Sequence, residues 1–271
     1  MARKRGQQLS VESADGTAIG YTLSGAGPSL LIVHGSAVDR RSCYLLDSVL
    51  SESRRVALMD RRGRGLSKDG PEYSLAHEAD DVLAVLGALE PPVHLVGLSF
   101  GCLPVLEAAA RFDRLSAVTL YEPPILTPDY PFLTRARMEE LERMIAEGRL
   151  TEAARVVLLE AISATESEMR EIDAVPGAWA AAEALMPVTA REFRVILAYV
   201  PRAQTLARIT VPSTVMVGGL SSPQFRAGAE FLIAQHPAMR MRVVPGLSHL
   251  APLIAPAPLA EAILETTPPA P

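Results

Sequence analysis

Short, unbroken apolar runs alternate along this chain with longer stretches in which apolar residues recur every three or four positions. Residues 29–33 and 55–59 are runs of the first kind, each closed by a polar loop, and they predict strands buried on both faces. Residues 74–89 are of the second kind. Leu75, Val82, Leu86 and Leu89 fall near one face and Glu78, Asp80 and Asp81 elsewhere, which predicts an amphipathic helix. Ahead of them, 9–12 and 18–23 flank Ala14-Asp15-Gly16-Thr17, whose Asp-Gly step is a hairpin signal, so the chain opens on an antiparallel pair.

The alternation continues with a strand at 93–96, a helix at 102–112 and a strand at 117–121. The pattern then changes. Pro123-Pro124-Ile125-Leu126-Thr127-Pro128 leads into charged helices predicted over 134–147, 151–162, 178–185 and 190–198, with no convincing strand. Strands return at 213–217 and 239–244, with helices at 224–235 and 258–265, and the Pro-rich end at 268–271 reads as a frayed tail. The whole predicts an α/β fold with a mostly parallel central sheet. Residues 1–122 and 208–271 would form the core, and 123–207 a helical cap.

Composition narrows this further. A chain of 271 residues can be one domain with an inserted subdomain. The net charge of −5 is made of interspersed acids and bases, so no nucleic-acid footprint is expected, and Arg3-Lys4-Arg5 reads as a solvated tail. No apolar run approaches the roughly 18 residues of a membrane span, and residues 1–10 lack the apolar segment of a secretory signal. A soluble, cytoplasmic protein with no membrane partner is the expectation. Cys43 and Cys102 are too few for a disulfide framework and lack metal-ligand spacing, so both read as buried small hydrophobes and no metal is implied. Composition does not distinguish a cap surface from a dimer surface, which leaves a homodimer open.

The chemistry concentrates at Gly97-Leu98-Ser99-Phe100-Gly101, a serine between two glycines directly after a strand-like run and before a helix. At a sharp strand-to-helix turn only small neighbours let the chain bend, and the hydroxyl is left exposed at the helix start. A serine nucleophile needs a base, normally a histidine held by a third group. Five histidines compete. His77 lies on the outer face of a helix, His94 inside a strand, and His236 at a helix end. His249 lies in the loop after the last predicted strand, where parallel sheets place functional side chains, and is the candidate base. His34-Gly35-Ser36 follows an earlier strand. There the Ser36 N–H can join the Phe100 N–H as an oxyanion donor, with His34 bracing the loop.

With these motifs in order, the chain resembles the α/β-hydrolase superfamily: His34-Gly35, then Asp60-Arg61-Arg62-Gly63-Arg64-Gly65-Leu66-Ser67, then Gly97 to Gly101, then Gly246-Leu247-Ser248-His249. The resemblance implies a structural role for Asp60, Arg62, Gly63, Gly65 and Ser67, although Arg61, Arg62 and Arg64 also look anion-friendly. It further implies an aspartate after the strand at 213–217, yet Gly218-Gly219-Leu220-Ser221-Ser222-Pro223 holds no carboxylate. Some relatives take the acid from the end of the strand after the elbow helix. Glu122 stands there and is the candidate acid, with Asp129 in reserve.

The resemblance implies cofactor-independent acyl chemistry on an ester, thioester or lactone, with a small-molecule acyl substrate. Serine at the nucleophile position argues against haloalkane dehalogenase and epoxide hydrolase activity, because those members use aspartate there. A non-hydrolytic acyltransferase, cyclase or perhydrolase-like enzyme and a non-catalytic binding module stay open. The cap should line the substrate pocket, with Trp179, Phe132 and Met138 the leading candidates and Leu141, Met144, Met186, Phe193 and Tyr199 behind them. Arg135, Arg137 and Arg143 are candidates to meet an anionic group.

Overall fold

The computed structural model describes residues 6–129 and 133–267. Eight strands form one sheet in the order β1-β2-β4-β3-β5-β6-β7-β8. They are β1 (Gln7–Glu12), β2 (Ala18–Ser24), β3 (Ser29–Val33), β4 (Arg55–Met59), β5 (Val93–Leu98), β6 (Leu115–Tyr121), β7 (Ser213–Gly218) and β8 (Arg240–Val244). β1 pairs with β2 and β2 with β4 in antiparallel fashion, and every later pairing is parallel. The expected hairpin and the expected parallel sheet are both present.

The unbroken apolar runs have the predicted cause. In β3, Leu31 and Val33 pack into one core while Leu30 and Ile32 pack into the other, and in β4 Ala57 and Met59 alternate with Val56 and Leu58 in the same way. Each face is covered by helices, so neither set of alternating side chains can be polar. The first face carries α2 (Leu75–Gly87), α3 (Cys102–Ala109) and α9 (Pro223–Gln235). The second carries α1 (Tyr44–Leu50) and α11 (Pro256–Leu264), with the short α10 (Ala251–Ile254) before it.

The described residues between β6 and β7 form α4 (Arg135–Ala146), α5 (Leu150–Val156), a π-helical turn (Val157–Ala161), α6 (Glu166–Asp173), α7 (Ala178–Ala198) and α8 (Ala203–Leu206). Their buried side chains, Met138, Leu141, Met186 and Phe193 among them, pack with Ile125 and onto Phe100 and Leu103 of the sheet-bearing part.

The helices differ from the sequence expectation in several places. α7 is one helix through Pro187, where two were expected. A proline removes one ladder hydrogen bond, but Met186, Thr189, Phe193 and Ile196 are all buried along one face, and that tertiary packing outweighs the local cost. α1, α6, α8 and α10 were not expected. α6 nevertheless carries a legible signal: the Thr165 hydroxyl accepts the Glu168 N–H while the Glu168 carboxylate accepts the Thr165 N–H, a capping box written as Thr165-x-x-Glu168.

Candidate active site

The parallel strands β3, β5, β6 and β8 end on the same side, and the residues that follow them converge there. Ser99 follows β5 with φ of 50°, and Glu122 follows β6 with φ of 53°. Ala37, in the loop after β3, has φ of 57°. Left-handed backbone at residues with a Cβ costs energy and collects where a site over-determines it. Three of the four such residues in the described structure lie here. The elbow glycines have a steric cause: a Cβ at Gly97 would come within 2.7 Å of Cys102 Cα, and one at Gly101 within 2.2 Å of the Val33 carbonyl oxygen.

Ser99 Oγ lies 3.1 Å from His249 Nε2, and His249 Nδ1 lies 2.6 Å from Glu122 Oε2. An ionised carboxylate only accepts, so Nδ1 carries the proton and Nε2 is left to accept from the serine hydroxyl. The other carboxylate oxygen, Glu122 Oε1, accepts the Gly218 N–H at 2.7 Å. Glu122 is fully buried and both its oxygens are hydrogen-bonded. The histidine loop is held in turn: Tyr121 Oη donates to the Ser248 carbonyl at 2.6 Å, and Ser248 Oγ donates to Glu168 Oε1 from α6. The Phe225 ring stacks on His249 with centroids 4.3 Å apart and planes 15° from parallel.

The other histidines are occupied elsewhere. His34 Nδ1 lies 2.9 Å from the Gly35 carbonyl, and its Nε2 accepts the Arg61 N–H at 3.2 Å, so His34 ties its loop to the start of the next. Burial, together with the Arg61 and Arg64 charges, holds its pKa well below the ordinary value. His94 is buried between Thr119 and Thr267, His236 Nε2 lies 3.0 Å from the Ile209 carbonyl, and His77 Nδ1 lies 3.2 Å from Ser74 Oγ. Asp129 is exposed, and Glu122 holds the nitrogen it would have served.

Ser36 lines the same cavity as Ser99, and Phe100 is the middle residue of the short 3-10 turn from Ser99 to Gly101. A Cβ on Gly35 would meet Ser99 Cβ at 3.0 Å, which places the His34-Gly35-Ser36 loop directly beside the serine.

The Asp60 to Ser67 segment is structural throughout. Asp60 accepts the backbone N–H groups of Arg40 and Leu66, and Ser67 Oγ bridges the Asp60 carbonyl and the Gly20 N–H. Its three arginines are buried and paired: Arg62 with Asp81 and Asp15, Arg61 with Glu78 and Glu192, and Arg64 with Glu192. None is free to meet an anion. Cys43 and Cys102 are both buried and free, as expected, and burial pushes the Cys43 thiol up to about 12.

The cavity beside Ser99 and His249 measures about 870 Å³. Its lining corrects the expected set. Met138, Leu141, Met144 and Met186 are buried in the helical packing and Tyr199 packs beside them; of that list Phe193 alone reaches the cavity. Trp179 turns away from it, because its Nε1 donates to Asp173 Oδ1 at 2.8 Å and the Arg155 guanidinium covers its ring. The cavity face of that helix is instead Ala178, Ala181, Ala182 and Leu185. Phe132 lies outside the described residues. Arg137 pairs with Glu140 and Glu160, away from the cavity, and neither Arg135 nor Arg143 lines it. Sequence reasoning did not anticipate Phe225, Leu158 or Ile162, since nothing local marks which face of a helix will look onto a strand end.

The family model described as alpha/beta hydrolase family matches residues 30–262. The chain belongs to that family. Among solved structures it is similar to an alpha/beta hydrolase from Sphaerobacter thermophilus, 28% identical, covering 95% of this chain and 99% of that one with a TM-score of 0.84. An esterase from Thermogutta terrifontis, 23% identical over 96% and 99% of the two chains with a TM-score of 0.70, shares the fold. Among curated proteins, the chain is 38% identical over 128 residues to the probable oxidoreductase EphD of Mycobacterium tuberculosis, covering 42% of this chain and 21% of that protein. It is 32% identical over 146 residues to an epoxide hydrolase from Caballeronia sordidicola, covering 51% and 41%. The matches thus span less than half the length of these curated relatives.

Proposed function

We propose that this alpha/beta hydrolase cleaves an ester, thioester or lactone through a covalent acyl-enzyme on Ser99. The hydrogen-bonded chain from Ser99 through His249 to Glu122 carries the reading. Ser99 Oγ attacks the substrate carbonyl carbon as its proton passes to His249 Nε2, and the resulting oxyanion is met by the Ser36 and Phe100 amides. The tetrahedral adduct collapses, the leaving group departs with the proton from Nε2, and an ester to Ser99 remains. Water then loses a proton to His249, attacks that ester and releases the acid, returning the proton to Ser99. Glu122 keeps Nδ1 protonated and offsets the imidazolium that forms at each attack. The helices of 123–207 act as the cap over the substrate.

The curated relative named epoxide hydrolase suggests a different substrate. Ring opening through an alkyl-enzyme ester requires a carboxylate nucleophile, and position 99 is serine. The acyl reading is therefore preferred. An acyltransferase or perhydrolase-like variant would use the same first half-reaction and differ only in what attacks the acyl-enzyme.

A fluorophosphonate probe tests the proposal. Labelling of one residue per chain, abolished in Ser99→Ala together with hydrolysis of aryl esters, is the expected result. Folded protein that neither labels nor turns over any aryl ester, thioester or lactone would overturn it.

A further inference from the structure

We propose that the site takes a lipophilic, uncharged substrate whose apolar arm is read by the π-helical turn Val157–Ala161; this rests on the acyl-enzyme reading above. The cavity of about 870 Å³ stands near the top of the range for small-molecule sites. Its mouth is unusual. Eight large apolar side chains are more than a third exposed in the described structure, and four of them, Leu45, Val175, Leu253 and Ile254, rim this one opening. Scattered exposed apolar residues need no explanation, whereas a group of them around a cavity marks a surface that something apolar covers.

The charged groups on the wall point the same way. They are Asp39, Arg41 and Glu171. Arg41 Nε donates to both Asp39 oxygens, at 3.0 and 2.9 Å, so the one cation is already compensated, and Glu171 repels a second carboxylate. An anionic substrate would lose water here and gain no partner.

The π turn decides which side chains meet the arm. It is closed by the Ile162 N–H donating to the Val157 carbonyl, and Val157, Leu158, Ala161 and Ile162, three or four positions apart, share one face and line the cavity. The Ala161 carbonyl accepts Gln224 Nε2 at 2.8 Å. Gln224 precedes Phe225, the ring stacked on His249, so the turn is anchored to the element that also flanks the base. A substrate arm lying against the turn therefore has a fixed length available between it and Ser99.

The test is a ladder of p-nitrophenyl esters, acetate through decanoate, with the anionic hemisuccinate, run beside fluorophosphonate labelling. We expect kcat/KM to rise by up to about fourfold per buried methylene, the equivalent of ~0.8 kcal/mol, with hemisuccinate lowest. Leu158→Asp should collapse the octanoate-to-acetate ratio. Ile162→Phe, which fills the cavity without charging it, should move the optimum to shorter chains. Labelled enzyme that prefers acetate or hemisuccinate would overturn this inference and leave the acyl-enzyme reading standing. Should labelling and hydrolysis both fail, that reading falls, and calorimetry of methyl decanoate on Ser99→Ala decides the inference alone. Binding with a negative heat-capacity change, weakened by Leu158→Asp, supports it, and absence of binding overturns it.

Discussion

Glu122 is held by Gly218, whose backbone N–H reaches Glu122 Oε1 at 2.7 Å from the end of the neighbouring strand. Gly218 opens the loop in which related enzymes usually keep their acid. Here that loop contributes a donor in place of a carboxylate, and it holds the Glu122 carboxylate, just after β6, against His249. Replacing Glu122 with Gln keeps the shape but removes the charge and frees the histidine to take the wrong tautomer. A loss of up to about 10⁴ in kcat is expected, with an unchanged circular dichroism spectrum. Turnover within tenfold of the parent would refute the assignment.

Phe225 lies flat on the His249 ring and restricts its rotation. Phe225→Leu retains apolar bulk but loses the stack, worth about 0.5–1.5 kcal/mol. A several-fold fall in kcat/KM is predicted, with Ser99 still reactive toward the fluorophosphonate. An unaltered kcat/KM would show that the stack does not position the base.

Glu192, from α7, accepts hydrogen bonds from Arg61 and Arg64 in the loop after β4, and all three side chains are fully buried. It joins the helical insertion to the sheet-bearing part through charge. Removing one partner of a buried ion pair leaves an uncompensated charge, so Glu192→Leu should cost about 3–5 kcal/mol in urea unfolding. A change below 1 kcal/mol would mean that Arg61 is satisfied by Glu78 alone.

His94 is buried, and burial lowers its pKa from 6.5 to about 3. The unfolded chain takes up a proton near pH 6.5 while the native protein does not, so stability falls as pH drops from 6.5 toward 3. Glu78 adds to the loss at lower pH. Burial raises its pKa, but the Arg61 charge and hydrogen bond outweigh that, and its carboxyl titrates below the ordinary 4.5. The stability contributed by that pair is present above pH 4.5 and lost on further acidification. Thermal unfolding of His94→Gln should show a shallower dependence of Tm on pH between 6.5 and 4.5. A slope equal to the parent's would place the acid sensitivity elsewhere.

Much of the site was legible because its signals are local. Gly97, Ser99 and Gly101 sit within five positions, and the glycines are demanded by contacts that any strand-to-helix elbow makes. His249 was legible from its place after the last strand, and Glu122 from its place after β6. The cavity wall was not legible. Trp179 and Met138 have the right chemistry but face the wrong way, while Leu158 and Ile162 reach the cavity because of the way their segment packs over the strand ends.

The sequence by itself determined the order of the strands and of α2, α3, α9 and α11, the elbow, and the short list of candidate site residues. These depend on side-chain periodicity and on steric limits among near neighbours. Only the tertiary structure decided which of those residues meet. Ser99 and His249 are 150 positions apart and His249 and Glu122 are 127 apart, so their contact depends on how the strands are ordered in the sheet. The lining of the cavity depends further on which face each inserted helix turns inward, and that is set by packing against partners distant in the chain.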